Sequence, residues 1–314
     1  LILPKEFDLI ARHFAPLAGP AALGLRDDAA ILAPPPGRDL AITVDTMVAG
    51  VHFPPDDNPE LVARKLLRVN LSDLAAMGAT PLGYLLALSV PRATPETWFA
   101  AFAAGLAEDQ ARYGITLLGG DTTSTPGPVS LTVTMLGHTA PGQELTRSGA
   151  RPGDLLFVTG TVGDGVLGLY AIRGEIPDPG GTLAARYRLP SPRVGLALAG
   201  IATACMDISD GLVQDLGHIC RASGVAAQVD AWRVPLSPAA RATGRLATCL
   251  AGGDDYELLL AVPPAQVAAL SAVCAAADVP VTHIGAFVDG APDVVVVDAS
   301  GERMDFAVAG WSHF

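Results

Sequence analysis

LAITVDTMVAGVHFPPDDNPELVARKLLRVNLSDLAAMGATPLGYLLALSV, residues 40–90, holds the alternation on which the fold reading rests. LAITVDT (40–46) reads as a strand, PELVARKLLRVNLSDLAAMG (59–78) as an amphipathic helix, and LGYLLALSV (82–90) as a second strand. Outward from it, PETWFAAFAAGLAEDQARYG (95–114) reads as a helix, and ITLLGG and VSLTVTMLGHT as strands. Strands and helices alternate without strict βαβ regularity.

APGQELTRSGARP (140–152) mixes turn formers with charges, as a domain crossing does. After it the pattern restarts. DLLFVTG is a strand, 164–173 and 192–203 read as helices, CMDIS leads into a helix beginning near Asp210, and GVAAQV and ELLLAV are strands. AQVAALSAVCAAA is an Ala-rich helix, VTHIGAFV and DVVVVD are strands, and GEIPDPGG (174–181) is a surface loop. These patterns give two α+β domains, 1–145 and 146–314.

The 314 residues suffice for two cores. With 32 acidic against 20 basic residues the net charge is −12, which excludes a broad surface for a nucleic acid backbone. The apolar stretches are interrupted too soon for a spanning helix. The opening LILPKEFDLIARHF reads as an amphipathic helix rather than a leader, so the expected location is the cytoplasm. Cys205, Cys220, Cys249 and Cys274 sit in apolar surroundings without CxxC spacing and are expected to be buried thiols.

No GxxxxGK[ST], protein-kinase signature, GxSxG or HExxH occurs. Gly163-Asp164-Gly165-Val166-Leu167-Gly168 does fit GxGxxG between a strand and a helix. No second strand ending in a ribose-binding carboxylate follows about twenty residues on. The run therefore reads as a tight turn before a packed helix, not as a dinucleotide site.

The distinctive chemistry is aspartate at strand ends and in glycine-flanked turns: Asp27-Asp28, Asp45, Asp73, Asp121, Asp207 and Asp210. A carboxylate among apolar residues must be paired, hydrogen-bonded or metal-bound. Any one alone reads as a helix cap or a turn. Together they point to Mg²⁺, which takes hard oxygen ligands and completes its shell with water and phosphate. Arg147, in LTRSGA, is placed to reach a phosphate.

GLRDDAAIL, DTMVAGVHF, KLLRVNLSDLAAMGATP, LLGGDTT, LTRSGARPGD, VTGTVGDG, PSPR, MDISDGLVQDLGHI and GGDDYEL, in this order, resemble the motifs of the thiamine-monophosphate kinase family. That family lies within the aminoimidazole ribonucleotide synthetase-like superfamily. The resemblance implies a two-domain fold: an N-terminal mixed sheet that pairs in a homodimer and binds ATP and magnesium, and a C-terminal α/β domain that completes the cleft. It implies transfer of the γ-phosphoryl group of ATP to thiamine monophosphate, assisted by several Mg²⁺ ions. On the family pattern Asp28, Thr43, Asp45, Asp73, Asp121, Asp207 and Asp210 hold magnesium. Gly120, Asp121, Arg147 and Ser209 contact ATP, and His52, Asp254, Trp311 and Phe314 meet thiamine monophosphate. No catalytic base is assigned, because the acceptor is already an ionised phosphate oxygen. The chain departs from the pattern at Arg26, Val44, Gly165 and Asp254, with Glu257 near enough in sequence to share the role of Asp254.

Two other members of the superfamily fit less well. A selenophosphate synthetase carries a reactive Cys or selenocysteine near its N-terminus, whereas no Cys precedes Cys205; a hydrogenase-maturation protein ends in Cys, whereas this sequence ends in Phe314. A noncatalytic nucleotide-binding module is the reading from another class, opposed by the retained aspartates.

Overall fold

The computed structural model describes residues 5–312 and separates into two compact units, 1–74 with 79–141 and 75–78 with 142–314. Among the described residues no helix is long and apolar enough to cross a membrane.

The first unit opens with α1 (Lys5–Leu9) and a run of short turns to Leu25. Four strands follow, β1 (Asp39–Val48), β2 (Thr80–Pro91), β3 (Thr116–Thr125) and β4 (Ser130–Thr139), with helices α2 (Pro59–Ala76) and α3 (Glu96–Tyr113) between them. The sheet order is β1-β4-β2-β3. β4 runs antiparallel to β1 and β2, and β3 runs parallel to β2, as the crossover through α3 requires.

One face of this sheet is covered. Leu131, Val133 and Met135 of β4, with Tyr84, Leu86 and Leu88 of β2, are buried and alternate with more open neighbours. α2 lies on this face: a Cβ at Gly137 would come within 3.0 Å of the Leu74 side chain. α3 bonds it through Gln110, which donates to the Tyr84 hydroxyl at 3.1 Å. The two helices nearly touch at Gly105, where a Cβ would fall 2.2 Å from the Glu60 carbonyl. Arg68 of α2 joins Asp109 of α3 by two buried hydrogen bonds of 2.6 and 2.9 Å. The opposite face is open. Ile42, Val44 and Leu85 are 62%, 59% and 40% exposed there.

The second unit contains β5 (Leu155–Thr159), α4 (Asp164–Ile172), α5 (Thr182–Arg188), β6 (Ala204–Asp207), α6 (Leu212–Ser223) and β7 (Ala226–Asp230). It continues with α7 (Pro238–Ala242), α8 (Leu246–Ala251), β8 (Leu258–Val262), α9 (Val267–Ala276), β9 (Val281–Val288) and β10 (Val294–Val297). Its sheet order is β10-β7-β9-β5-β8-β6, antiparallel except for the β10–β7 pair. β8 is buried at every position, as a central strand covered on both faces must be.

Three local expectations change. Residues 192–203 form turns rather than a helix, because Pro190 and Pro192 precede Gly195 and Gly200, both at positive φ; the helix lies at Thr182–Arg188. β3 extends through Thr125, so Asp121 lies within an edge strand rather than after it. α6 starts at Leu212, leaving Asp210 in the loop before it. The four cysteines are free and buried.

Candidate functional site

In the first unit, Asp27, Asp28, Gly120 and Asp121 line one cavity of about 500 Å³ whose other walls include Phe14, Leu25 and Leu88. Glycine is required at 120, since a Cβ would lie 1.9 Å from the Leu86 carbonyl oxygen. An apolar body with an acidic mouth accepts a flat ring but repels bare phosphate, so a phosphorylated ligand needs a cation beside these carboxylates.

Thr43 and Asp45 share the covered face of β1, two residues apart. Thr43 donates its hydroxyl to Asp73 of α2 at 2.5 Å. Val44 points to the open face, so a hydroxyl there would not join this pair. His52 follows β1 in a tight turn, where its Nδ1 accepts from the Val48 N–H at 3.0 Å. In the neutral ring that leaves the proton on Nε2, which is then a donor.

In the second unit the loop Asp207–Gly211 carries Ser209 and Asp210. One side chain sets its shape. The Asp215 Oδ2 accepts the N–H groups of Ser209, Asp210 and Gly211, each at 3.0 Å. Burial pushes the Asp215 carboxyl up to about 7 against the pull of these amides. Asp254 is bonded to the same loop, its N–H donating to the Ser209 carbonyl at 2.9 Å. Asp254 and Tyr256 both hold positive φ, 69° and 53°, a strained conformation for non-glycine residues that these contacts sustain. Trp311 also reaches the loop, its N–H donating to the Asp210 carbonyl at 3.0 Å.

Arg147 is exposed, with its carbonyl held by the Ser223 hydroxyl at 3.2 Å. It shares a charged neighbourhood with Asp210. Burial and the charges of Arg221 and Arg147 hold His218 below its usual range, while Asp210 pulls the other way.

The chain thus brings Asp28, Gly120 and Asp121 together, joins Thr43 to Asp73, and gathers Ser209, Asp210, Asp254 and Trp311 around one loop. Phe314 lies outside the described residues. Glu257 does not share the role of Asp254: it is fully buried, receiving hydrogen bonds from Arg186, Arg193 and Thr159. Sequence reading also missed Asp215, because its carboxylate faces the backbone amides of its own loop and reads as an ordinary helical aspartate; its place four residues after Gly211 was the available signal.

Among the described residues no group of three or more His, Cys, Asp or Glu side chains is gathered into a metal cage. The donor set, carboxylate and hydroxyl oxygen without thiolate, nonetheless fits magnesium. Mg²⁺ is held by one or two carboxylates and completes its octahedron with water and substrate phosphate, unlike zinc or calcium in an all-protein cage.

Residues 26–139 match the model of the AIR synthase related protein N-terminal domain, and residues 151–298 match that of its C-terminal domain. A thiamine-monophosphate kinase of Caulobacter vibrioides is 48% identical, the alignment covering 99% of this chain and 91% of that one. The crystal structure of a thiamine-monophosphate kinase from Stenotrophomonas maltophilia K279a is 41% identical with a TM-score of 0.82, covering 89% of this chain and 91% of that one. AaThiL complexed with AMPPCP and TMP is 28% identical with a TM-score of 0.79, over 100% and 99% of the two chains. The chain is therefore a kinase-family enzyme of AIR synthase related fold, and belongs to the thiamine-monophosphate kinases.

Proposed function

We propose that this enzyme transfers the γ-phosphoryl group of ATP directly, in line, to the phosphate of thiamine monophosphate, yielding thiamine diphosphate and ADP. The observation that carries this reading is the hydrogen-bonded grouping of Ser209, Asp210, Asp254 and Trp311 on one loop, in a chain whose relatives include AaThiL complexed with AMPPCP and TMP.

Magnesium would be held by Asp28, Thr43, Asp45, Asp73, Asp121, Asp207 and Asp210, and when bound it would neutralise the charge that builds on the transferring phosphoryl group. Gly120, Asp121, Arg147 and Ser209 would contact ATP. The apolar walls beside Gly120 suit a base, and the Arg147 guanidinium suits phosphate oxygens. His52, Asp254, Trp311 and Phe314 would meet thiamine monophosphate. The cationic thiazolium favours a carboxylate and an aromatic face, and the Nε2 proton of His52 can bond a substrate acceptor. No residue needs to remove a proton, since the attacking phosphate oxygen is ionised at neutral pH; the chain's work is positioning and charge neutralisation.

In this reading residues 1–145 bind ATP and magnesium and pair in a homodimer, and 146–314 complete the cleft. The exposed Ile42, Val44 and Leu85, which neighbour one another across β1, β4 and β2, give the pairing an apolar face. The enzyme would act in the cytoplasm. The test is incubation with ATP, Mg²⁺ and thiamine monophosphate, followed by separation of the thiamine esters. Diphosphate should form from the monophosphate but not from free thiamine, and Asp210→Asn should cut turnover at least a hundredfold, a typical loss for a group that stabilises transition-state charge. ATP binding without diphosphate would reject the acceptor.

A further inference from the structure

The last described stretch of the chain crosses the first turn of α6. Met304 and Phe306 pack against the core of the second unit, Val308 is 68% exposed, and the chain returns to the protein at Gly310 and Trp311. At Gly310 it lies so close to α6 that a Cβ would fall 2.4 Å from the Cβ of Gln214. The Gln214 amide then makes two bonds from one nitrogen: Nε2 donates to the Trp311 carbonyl at 2.7 Å and to Asp210 Oδ2 at 3.1 Å. Next to it, Asp215 clamps the loop backbone, so the post to which the strap is tied is itself rigid.

We propose that Gln214 is a positioning residue: it couples the strap that carries Trp311 to the carboxylate of Asp210, so that the substrate side and the metal side of the site are set by one amide. The two hydrogens of an NH₂ group serve this bridge, which neither a hydroxyl nor a carboxylate at 214 can reproduce at this reach. With the bridge gone, the strap keeps its anchor at Met304 and Phe306 and the bond from the Trp311 N–H to the Asp210 carbonyl, and its aromatic end, held by one of the two Trp311 backbone bonds instead of both, swings more freely. Asp210 stays on its clamped loop but loses the donor that orients its Oδ2. The inference deepens the proposed function, since it takes Trp311 as a residue that meets the phosphate acceptor.

The test uses the full chain carrying Trp98→Phe and Trp232→Phe, which leaves Trp311 as its sole tryptophan. Gln214→Met and Gln214→Glu are compared with this parent. Both keep the length of the side chain and remove the donors. Without any ligand, the fluorescence anisotropy of Trp311 should fall in both variants. In turnover, KM for thiamine monophosphate should rise about tenfold, the worth of the lost hydrogen bonds, and kcat should fall severalfold as Asp210 loses its donor, while KM for ATP stays within about twofold. An unchanged anisotropy would overturn the proposal. So would a fall in kcat together with a rise in both KM values, which a general loosening of the fold produces. If the parent makes no thiamine diphosphate, the functional reading fails, while the anisotropy of the unliganded variants still decides whether Gln214 holds the strap.

Discussion

Gly163 donates its N–H to the carboxylate of Asp255 at 2.7 Å, and Gly165 donates to the other oxygen of the same group at 3.0 Å. The start of α4 is thus already served by a carboxyl group of the protein itself. The glycines of GDGVLG make room for packing, since a Cβ would fall 2.3 Å from Cys249 at Gly163 and 2.2 Å from the Leu183 carbonyl at Gly168. A pyrophosphate would find the Gly163 and Gly165 amides taken and the turn filled by packing. The turn that imitates a dinucleotide fingerprint is a packing joint, and titration with NADH should leave its fluorescence unchanged.

The same carboxylate makes stability depend on pH. Burial pushes Asp255 up to about 8, with the two glycine amides and Arg186 drawing it back and Asp164 adding to the rise. The folded state therefore holds a proton that the unfolded chain has released. The sign follows: this group favours folding below its unfolded pKa near 4, and the benefit is lost as pH rises towards 8. Urea midpoints at pH 5, 7 and 9 should fall with pH, and fall less in Asp255→Asn. Parallel curves for the two proteins would reject the assignment.

Asp215 should matter more than an aspartate in a first helical turn usually does. Replacing it with Ala strips three amides of their acceptor and is expected to cost about 3 kcal/mol, while Asn, which keeps one carbonyl oxygen, should cost about 1. Urea denaturation reads the cost. Turnover of the folded Ala variant should fall as well, because the amides it frees shape the loop of Ser209 and Asp210.

Gly165→Ser adds a hydroxymethyl group in the first turn of α4. Here its Cβ would meet the Asp254 carbonyl at 2.3 Å, so the backbone at Asp254 must move. The expected loss is about 1–3 kcal/mol, as for overpacking elsewhere. KM for thiamine monophosphate should rise with it. A serine variant as stable and as active as the parent would show that the joint is looser than the close packing implies.

Arg68 and Asp109 hold α2 to α3 in the interior of the first unit, with Asp109 fully buried. Asp109→Ala removes the buried acceptor of two Arg68 hydrogen bonds and should cost about 3–5 kcal/mol in a melt or urea titration. An apolar pair replacing both residues should recover most of that loss.

Much of the candidate site was legible in the sequence because its chemistry is local. Asp207, Ser209 and Asp210 stand within four residues of one another, and Gly119, Gly120 and Asp121 are consecutive, so their likeness to family motifs could be read without a fold. The elements with clean periodicity, LAITVDT and the two long helices, were equally readable. The stretch 192–203 was not, because its apolar residues imitate a helical period that proline and glycine then interrupt.

The sequence by itself determined the two α+β halves, the ordered aspartate motifs and the family they resemble, since periodicity and short spacing survive without coordinates. Only the tertiary structure decided which of those residues meet. Asp254 lies 45 residues from Ser209 along the chain, and Trp311 lies 101 from Asp210, yet backbone hydrogen bonds join both pairs. Glu257 and Asp254 differ by three positions and part completely, one enclosed by arginines and the other held at the loop. The reason is physical: a side chain's partner is set by which backbones the sheet brings within about 3 Å, and that distance is invisible in the linear order.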